Sequence, residues 1–116
     1  MRRTPQQRLG RQGEDRALAH LQAHGLTLLE RNFLCKSGEI DLIMQEGPVL
    51  VFVEVRRRAS ARFGGAVHSV TPAKQQRLFR AAQYYLLRHA LPPPCRFDLV
   101  AIDAEKLSWI QNALEM

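Results

Sequence analysis

The order of three segments constrains this fold more than any other feature of the sequence. Residues 49–57 and 96–102 are rich in the aliphatic and aromatic side chains of buried strands. Between them, Thr71-Pro72 supplies an N-cap and a first-turn proline, and the helix should end near Leu91, before the prolines at 92–94. A helix that joins two strands forms a crossover, so the pattern predicts two parallel strands at the centre of a sheet.

The remaining segments complete an α/β pattern. Thr4-Pro5 begins a helix that should run to His24, where Gly25 ends it. Residues 26–33 and 39–45 read as strands, and residues 106–113 as a final edge strand. The predicted order is therefore αβββαβ with an added edge strand, a mixed central sheet flanked by helices.

The size and charge of the chain limit the classes of function. Its 116 residues fit a single domain, 1–116, and its formal net charge of +6 favours a polyanionic partner such as nucleic acid. Because basic small proteins are common, the charge alone does not decide this. The longest apolar run, 49–53, is too short to span a bilayer, and no apolar segment follows the basic N-terminus. We expect a cytoplasmic protein that binds no membrane.

Three acidic residues stand where apolar side chains are expected. Asp41 and Glu54 each interrupt an apolar strand, and Glu14 continues the apolar stripe of the first helix, with Ala17 and Leu21. A buried carboxylate is costly unless a cation or a metal ion neutralises it. For Glu14, an ion pair with a nearby arginine such as Arg11 is the alternative to a functional role.

The register of one hairpin decides whether two of these acids meet. If Gln45 faces Pro48 across the turn, Asp41 pairs with Phe52, and Glu54 lies two residues further along on the same face. A slip of one residue would place the two carboxylates on opposite faces of the sheet.

A shared site of this kind suits a hard cation. Carboxylate oxygens from Glu14, Asp41 and Glu54, with the carbonyl of Val55, are ligands that Mg²⁺ or Mn²⁺ prefers. Such a site can activate water and neutralise the charge that develops during phosphodiester hydrolysis.

The same residues resemble a known nuclease pattern. Asp41 followed by Glu54-Val55-Arg56 resembles the PD-(D/E)xK nucleases of restriction-endonuclease-like fold, in which an aspartate on one strand precedes E-x-K on the next. The wider motifs look like the YraN family of uncharacterised proteins, described as similar to archaeal Holliday-junction resolvases. Those motifs are GxxGE at 10–14, GEIDLI at 38–43, VFVEVRRR at 51–58 and TPAKQQRL at 71–78.

The resemblance extends over residues 10–103 and implies a set of roles. Glu14, Asp41 and Glu54 would be the metal-site acids, and Gln75 a supporting polar residue near them. Arg56 departs from the nuclease pattern, which has lysine there; arginine stays charged and can hold phosphate, but it does not deprotonate water. Lys36 or Lys74 could supply an ammonium group from another element.

Several basic residues are candidates for binding nucleic acid. Arg56, Arg57 and Arg58 could contact phosphate or form a solvated strand end, and Lys74 and Arg77 begin the second helix. A helical strip, either a binding surface or a solvated face, contains Arg77, Arg80, Tyr84 and Arg88. Residues 58–69 are expected to form a loop able to fold over a substrate.

The histidines and cysteines give weaker signals. His20 and His24 have the i, i+4 spacing of metal ligands but no third partner, so surface positions are favoured. His68 follows the glycine-containing loop and is a weak candidate for substrate contact. Cys35 and Cys95 match no zinc or redox spacing and are expected to be free, buried thiols.

Three functions are consistent with these features. The first is a Mg²⁺-dependent, structure-selective endonuclease acting on branched DNA, and a homodimer would fit symmetric cutting by two sites. The second is a DNA- or RNA-binding module that keeps the fold without the chemistry. The third is an adaptor whose basic face meets an acidic protein.

Overall fold

A computed structural model describes residues 5–59 and 65–115, with side chains from residue 10 onward, so the predicted N-cap Thr4 and residues 60–64 of the predicted loop lie outside it. Every predicted helix and strand is present. The elements are α1 (Pro5–Ala23), β1 (Thr27–Cys35), β2 (Gly38–Glu46), β3 (Val49–Arg58), a short 3-10 helix (Val67–Ser69), α2 (Pro72–Leu86), β4 (Cys95–Asp103) and β5 (Lys106–Leu114).

The strands form one mixed sheet in the order β1-β2-β3-β4-β5. β3 and β4 are parallel and are joined by α2, which confirms the predicted crossover. The other neighbouring pairs are antiparallel. The αβββαβ order of the sequence prediction is therefore correct.

Each helix covers one face of the sheet. α1 buries Ala17 and Leu21 against one face, and α2 buries Leu78, Ala82 and Tyr85 against the other. The buried stripe of α1 matches the predicted one. No helix within the described part of the chain is long and apolar enough to cross a membrane.

The β2–β3 hairpin differs from the predicted register by two residues. Glu46 pairs with Val49, so the turn consists of Gly47 and Pro48 alone, and Gln45 pairs with Leu50. The positive φ of Gly47, 57°, suits a two-residue turn with glycine in its first central position. Because the error is an even number of residues, the side chains of the paired segments 42–46 and 49–53 keep the faces that were predicted for them.

α2 ends earlier than predicted, at Leu86 rather than near residue 91. Its last turn tightens into i to i−3 bonds, with the amide of His89 donating to the carbonyl of Leu86 at 3.0 Å. Arg88 then lies over the ring of Tyr85, 4.1 Å from its centroid. Proline 92 also disfavours helical geometry in the residue before it, so the helix could not reach residue 91.

Candidate functional site

Asp41 and Glu54 lie side by side where the paired part of the β2–β3 hairpin ends. The observed pairing ends at Leu42 and Val53, and Asp41 and Glu54 are the next residue on each strand. The amide of Val55 donates to Oδ2 of Asp41 at 2.8 Å. The carboxyl groups of Asp41 and Glu54 are close enough for a side-chain hydrogen bond.

The alternation of β2 is interrupted at Asp41. Ile40 packs in the α2-side core and Leu42 in the α1-side core, although residues two apart in a regular strand share a face. Asn32, which continues the β1–β2 register opposite Asp41, has a positive φ of 55°. Asp41 therefore lies at the point where β2 passes from one core cluster to the other, and its carboxylate is not enclosed by either.

A pocket of about 620 Å³ opens beside Asp41, between α1, the end of β3 and the β4–β5 turn. Two glycines form the α1 wall: a side chain at Gly13 would contact Arg57, whereas one at Gly10 would meet nothing within 4 Å. A ligand could therefore approach the α1 backbone closely at Gly10. The lining residues are Gly10, Gly13, Glu14, Asp41, Val55, Arg56, Arg57, Arg58, Ala59, Ala104 and Glu105.

The two adjacent acids resist ionisation. Burial raises the pKa of Asp41 well above its usual range, and the neighbouring charge of Glu54 raises it further, against the opposing Val55 hydrogen bond. Burial also raises the pKa of Glu54, but the Arg56 guanidinium opposes that shift. A divalent cation would relieve this repulsion, and Mg²⁺ commonly takes only one or two protein carboxylates. The pair therefore fits such an ion.

Glu14, the third predicted acid, lines the same pocket but is paired with a cation. Its Oε1 accepts a hydrogen bond from Nε of Arg31 at 3.2 Å, and Arg31 also pairs with Asp15. The predicted ion pair thus forms with Arg31, while Arg11 lies 3.7 Å from Asp15. Within residues 5–59 and 65–115, no group of three or more His, Cys, Asp or Glu side chains is arranged to hold a metal ion. The structure joins two of the predicted acids and leaves the third at the pocket wall.

Sequence comparison with known proteins identifies the family of this chain. A sequence model of the uncharacterised protein family UPF0102 matches residues 13–102, most of the chain. The chain belongs to UPF0102. A UPF0102 protein of Janthinobacterium sp. (strain Marseille) is 58% identical over 113 residues, covering 97% of this chain and 92% of the relative. Another UPF0102 protein, from Herminiimonas arsenicoxydans, is also 58% identical over 113 residues, which cover 97% of this chain and 91% of that relative.

In this UPF0102 chain, Arg56 lies between Glu54 and the segment before α2. Its Nη1 is 3.7 Å from Oε1 of Glu54, and its Nε donates to Oγ of Ser69 at 2.9 Å. Lys74 donates to the carbonyl of Ser69 at 3.2 Å, so it reaches the same residue from α2. Gln75 donates to the carbonyl of Val70 at 3.1 Å. Sequence reasoning missed Ser69, since no local pattern distinguishes it from other polar loop residues.

The predicted nucleic-acid contacts of the UPF0102 chain fall in two places. Arg57 and Arg58 line the pocket at the end of β3, where Arg57 lies 3.6 Å from Glu105. Arg77 is exposed near the start of α2, and its carbonyl approaches Gly38 so closely that a Cβ there would lie 2.7 Å away. Of the predicted strip, Arg77, Arg80 and Tyr84 are exposed on α2, whereas Arg88 lies beyond the end of the helix. Lys36, in the β1–β2 turn, is also exposed.

The paired histidines pack on an aromatic ring. His20 and His24 have ring centroids 4.4 Å apart, and both meet Trp109 edge-on. Burial, followed by the charges of His24 and Arg16, lowers the pKa of His20. His24 is exposed and His20 is half-buried, so the predicted surface position holds for His24.

The cysteines are free, as predicted, but only half-buried. Burial raises the pKa of the Cys95 thiol, which disfavours the reactive thiolate. His68 is exposed in the 3-10 helix, next to Ser69.

Proposed function

We propose that this protein is a Mg²⁺-dependent, structure-selective endonuclease that hydrolyses phosphodiester bonds in branched DNA. The observation that carries the proposal is the adjacent pair of Asp41 and Glu54, both with a raised pKa, in which Asp41 lines a pocket whose other wall contains arginines. Acids that repel one another in a half-buried site are stabilised by a divalent cation. Arginines beside them match the charge of a phosphodiester backbone.

The roles follow from these positions. Asp41 and Glu54 would hold Mg²⁺ or Mn²⁺, with the carbonyl of Val55 and, once released from Arg31, Glu14 as further oxygen ligands. The ion would supply an activated water molecule and neutralise developing charge. The protein's own part is to bring these oxygens together where the pairing of β2 with β3 ends and to exclude water on the core side.

The cations would bind and orient the substrate. Arg56, next to Glu54, would neutralise charge on the scissile phosphate but would not deprotonate water, since guanidinium stays protonated. Arg57 and Arg58 would bind phosphates at the pocket, and Lys74 and Arg77 phosphates on the α2 side. Gln75 would support the segment before α2 through its bond to Val70.

A nicking assay on branched, single-stranded and duplex DNA with Mg²⁺ or Mn²⁺ tests the proposal. The wild type should nick branched DNA fastest, and Asp41→Ala should abolish nicking because it removes one of the two adjacent acids. Glu115→Gln is the matched control, since it removes an exposed acid that lies outside the pocket lining. If the wild type cleaves none of these substrates, the proposal is wrong. Sedimentation of the protein–DNA complex would establish whether two copies bind one junction.

A second candidate is a DNA- or RNA-binding module with the same fold but no turnover. Two observations favour it: arginine occupies the lysine position at Arg56, and Glu14 is already neutralised by Arg31. It predicts salt-sensitive binding that EDTA does not change. Metal-dependent nicking would count against it, and failure to bind nucleic acid at low salt would favour an adaptor for an acidic protein.

A further inference from the structure

The segment between β3 and α2 is hydrogen-bonded to two neighbouring elements in its described part, residues 65–70. The amide of Ala66 donates to Oδ1 of Asp103, at the end of β4, at 2.6 Å. Gly65 has a φ of 70°, and a Cβ there would come within 2.5 Å of the same carboxylate, so glycine is required. Gln75 of α2 binds the carbonyl of Val70. The segment is therefore held in one position by β4 and α2.

Ser69 lies at the centre of this fastened segment and contacts two cations. Its Oγ donates to the carbonyl of Ala66 at 2.6 Å, which orients the hydroxyl. The same Oγ accepts from Nε of Arg56 at 2.9 Å, and the carbonyl of Ser69 accepts from Nζ of Lys74 at 3.2 Å. One residue thus anchors a cation from β3 and a cation from α2.

This anchoring matters most for Arg56. A long guanidinium side chain loses considerable rotamer freedom when it is held in one geometry. Its ion pair with Glu54 is long, at 3.7 Å, and the side chain of Arg56 is 27% exposed, so that pair alone orients it weakly. The Ser69 hydroxyl supplies the shorter and better-defined contact.

We infer that Ser69 is the positioning residue that holds Arg56 beside Glu54 and, through its carbonyl, holds Lys74 next to the same segment. Its hydroxyl orients the guanidinium and its carbonyl fixes the ammonium. Substrate phosphate would therefore meet two cations of fixed geometry. The functional part of this inference rests on the proposed function; the positioning itself does not.

Ser69→Ala, Ser69→Thr and the control Ser108→Ala test this inference. Ser108 is a half-buried serine on β5, paired with Ala101 and outside the fastened segment. NMR of the Arg56 Nε–H group reports its order directly. Loss of one hydrogen bond of ordinary net strength should speed its hydrogen exchange about fivefold in Ser69→Ala. Ser69→Thr keeps the hydroxyl and should restore the wild-type rate, and Ser108→Ala should not change it.

Cleavage kinetics give the second readout. A lost orienting contact should lower kcat of Ser69→Ala about tenfold with little change in KM, and Ser69→Thr should recover it. Unchanged Arg56 exchange in Ser69→Ala would overturn the positioning role. Faster exchange with unchanged kcat would overturn the link to catalysis. If the wild type does not cleave, the proposed function fails, and the exchange rates alone decide whether Ser69 positions Arg56.

Discussion

Two aspartates, Asp41 on β2 and Asp98 on β4, begin nearly identical apolar sequences but have opposite surroundings. Asp98 is completely buried and is surrounded by donors. Nε of Arg96 contacts both of its oxygens, at 3.0 and 3.2 Å, and the indole of Trp109 donates at 2.9 Å. The amide of Asn112 donates as well, at 2.9 Å. Asp98 is therefore a satisfied structural charge that holds the irregular end of β5.

Asp41 has one donor, the Val55 amide, and acidic neighbours. Burial raises its pKa most, and the charges of Glu54, Glu14 and Glu39 raise it further. The cost of burying a carboxylate in an apolar strand can thus be reduced in two ways. Donors can surround it, or it can lie at the edge of the core where a cation can reach it. The second arrangement stabilises the native chain less and leaves the group available for chemistry.

The largest expected difference between the two aspartates is in stability. Asp98→Ala would leave Arg96 with Glu46 as its remaining partner, and would strip the Trp109 and Asn112 N–H groups of their acceptor. Breaking a buried pair in this way costs about 3–5 kcal/mol. Urea denaturation should show this loss for Asp98→Ala and a much smaller change for Asp41→Ala. Equal losses in the two variants would remove the distinction.

Sequence reasoning found Asp41 and missed Asp98, although Asp41-Leu42-Ile43 and Asp98-Leu99-Val100 look alike. It predicted the helices, the strands and the crossover because periodicity and caps are local signals. The hairpin register was wrong by two residues because the two-residue turn was placed at Glu46-Gly47, one residue before its observed position at Gly47-Pro48.

The partners of the site residues could not be predicted in the same way. Arg31, which neutralises Glu14, lies 17 positions along the chain, and Ser69 lies 13 positions from Arg56. Such contacts depend on how α1 and the segment before α2 dock on the sheet. No local pattern encodes that docking, so the acids were predictable and their cations were not.

The second largest expected difference between the two aspartates is in metal binding, which should depend on Asp41. If Asp41 and Glu54 hold a divalent ion, Mg²⁺ or Mn²⁺ at about 100 times its dissociation constant should raise the free energy of unfolding of the wild type by about 2.7 kcal/mol. Thermal denaturation over a metal titration measures this. Asp41→Asn should lose the effect, while Glu115→Gln should retain it. An equal shift in Asp41→Asn would mean that the ion binds elsewhere.

The pH dependence of stability gives a smaller effect with a defined sign. Because the pKa of Asp41 is higher in the folded than in the unfolded chain, the folded chain binds more protons between those two values. The free energy of unfolding should therefore fall as pH rises through that window. In metal-free protein at neutral pH, Asp41→Asn should raise Tm, since asparagine needs no ionisation and can still accept the Val55 N–H. Below about pH 4, where an ordinary aspartate protonates, the advantage should disappear.

Glu54→Gln tests the same pH dependence of stability at the neighbouring acid. Burial raises the pKa of Glu54 but Arg56 opposes the rise, so Glu54→Gln should raise Tm at neutral pH by less than Asp41→Asn does. A lower Tm for Asp41→Asn than for wild type at neutral pH would contradict the acidic environment assigned to Asp41.

The smallest expected effect concerns Glu105, an acid that lines the same pocket as Asp41 but on its rim. Its carboxylate lies 3.6 Å from Nη2 of Arg57 and is 88% exposed, so the pair contributes less than about 1 kcal/mol. A phosphate group that binds Arg57 must compete with this carboxylate. Glu105→Gln should therefore raise DNA affinity by up to about fivefold at low salt, as measured by fluorescence anisotropy, with a smaller gain at high salt. Glu115→Gln removes the same charge away from Arg57, and an equal gain there would mean that net charge alone sets the affinity.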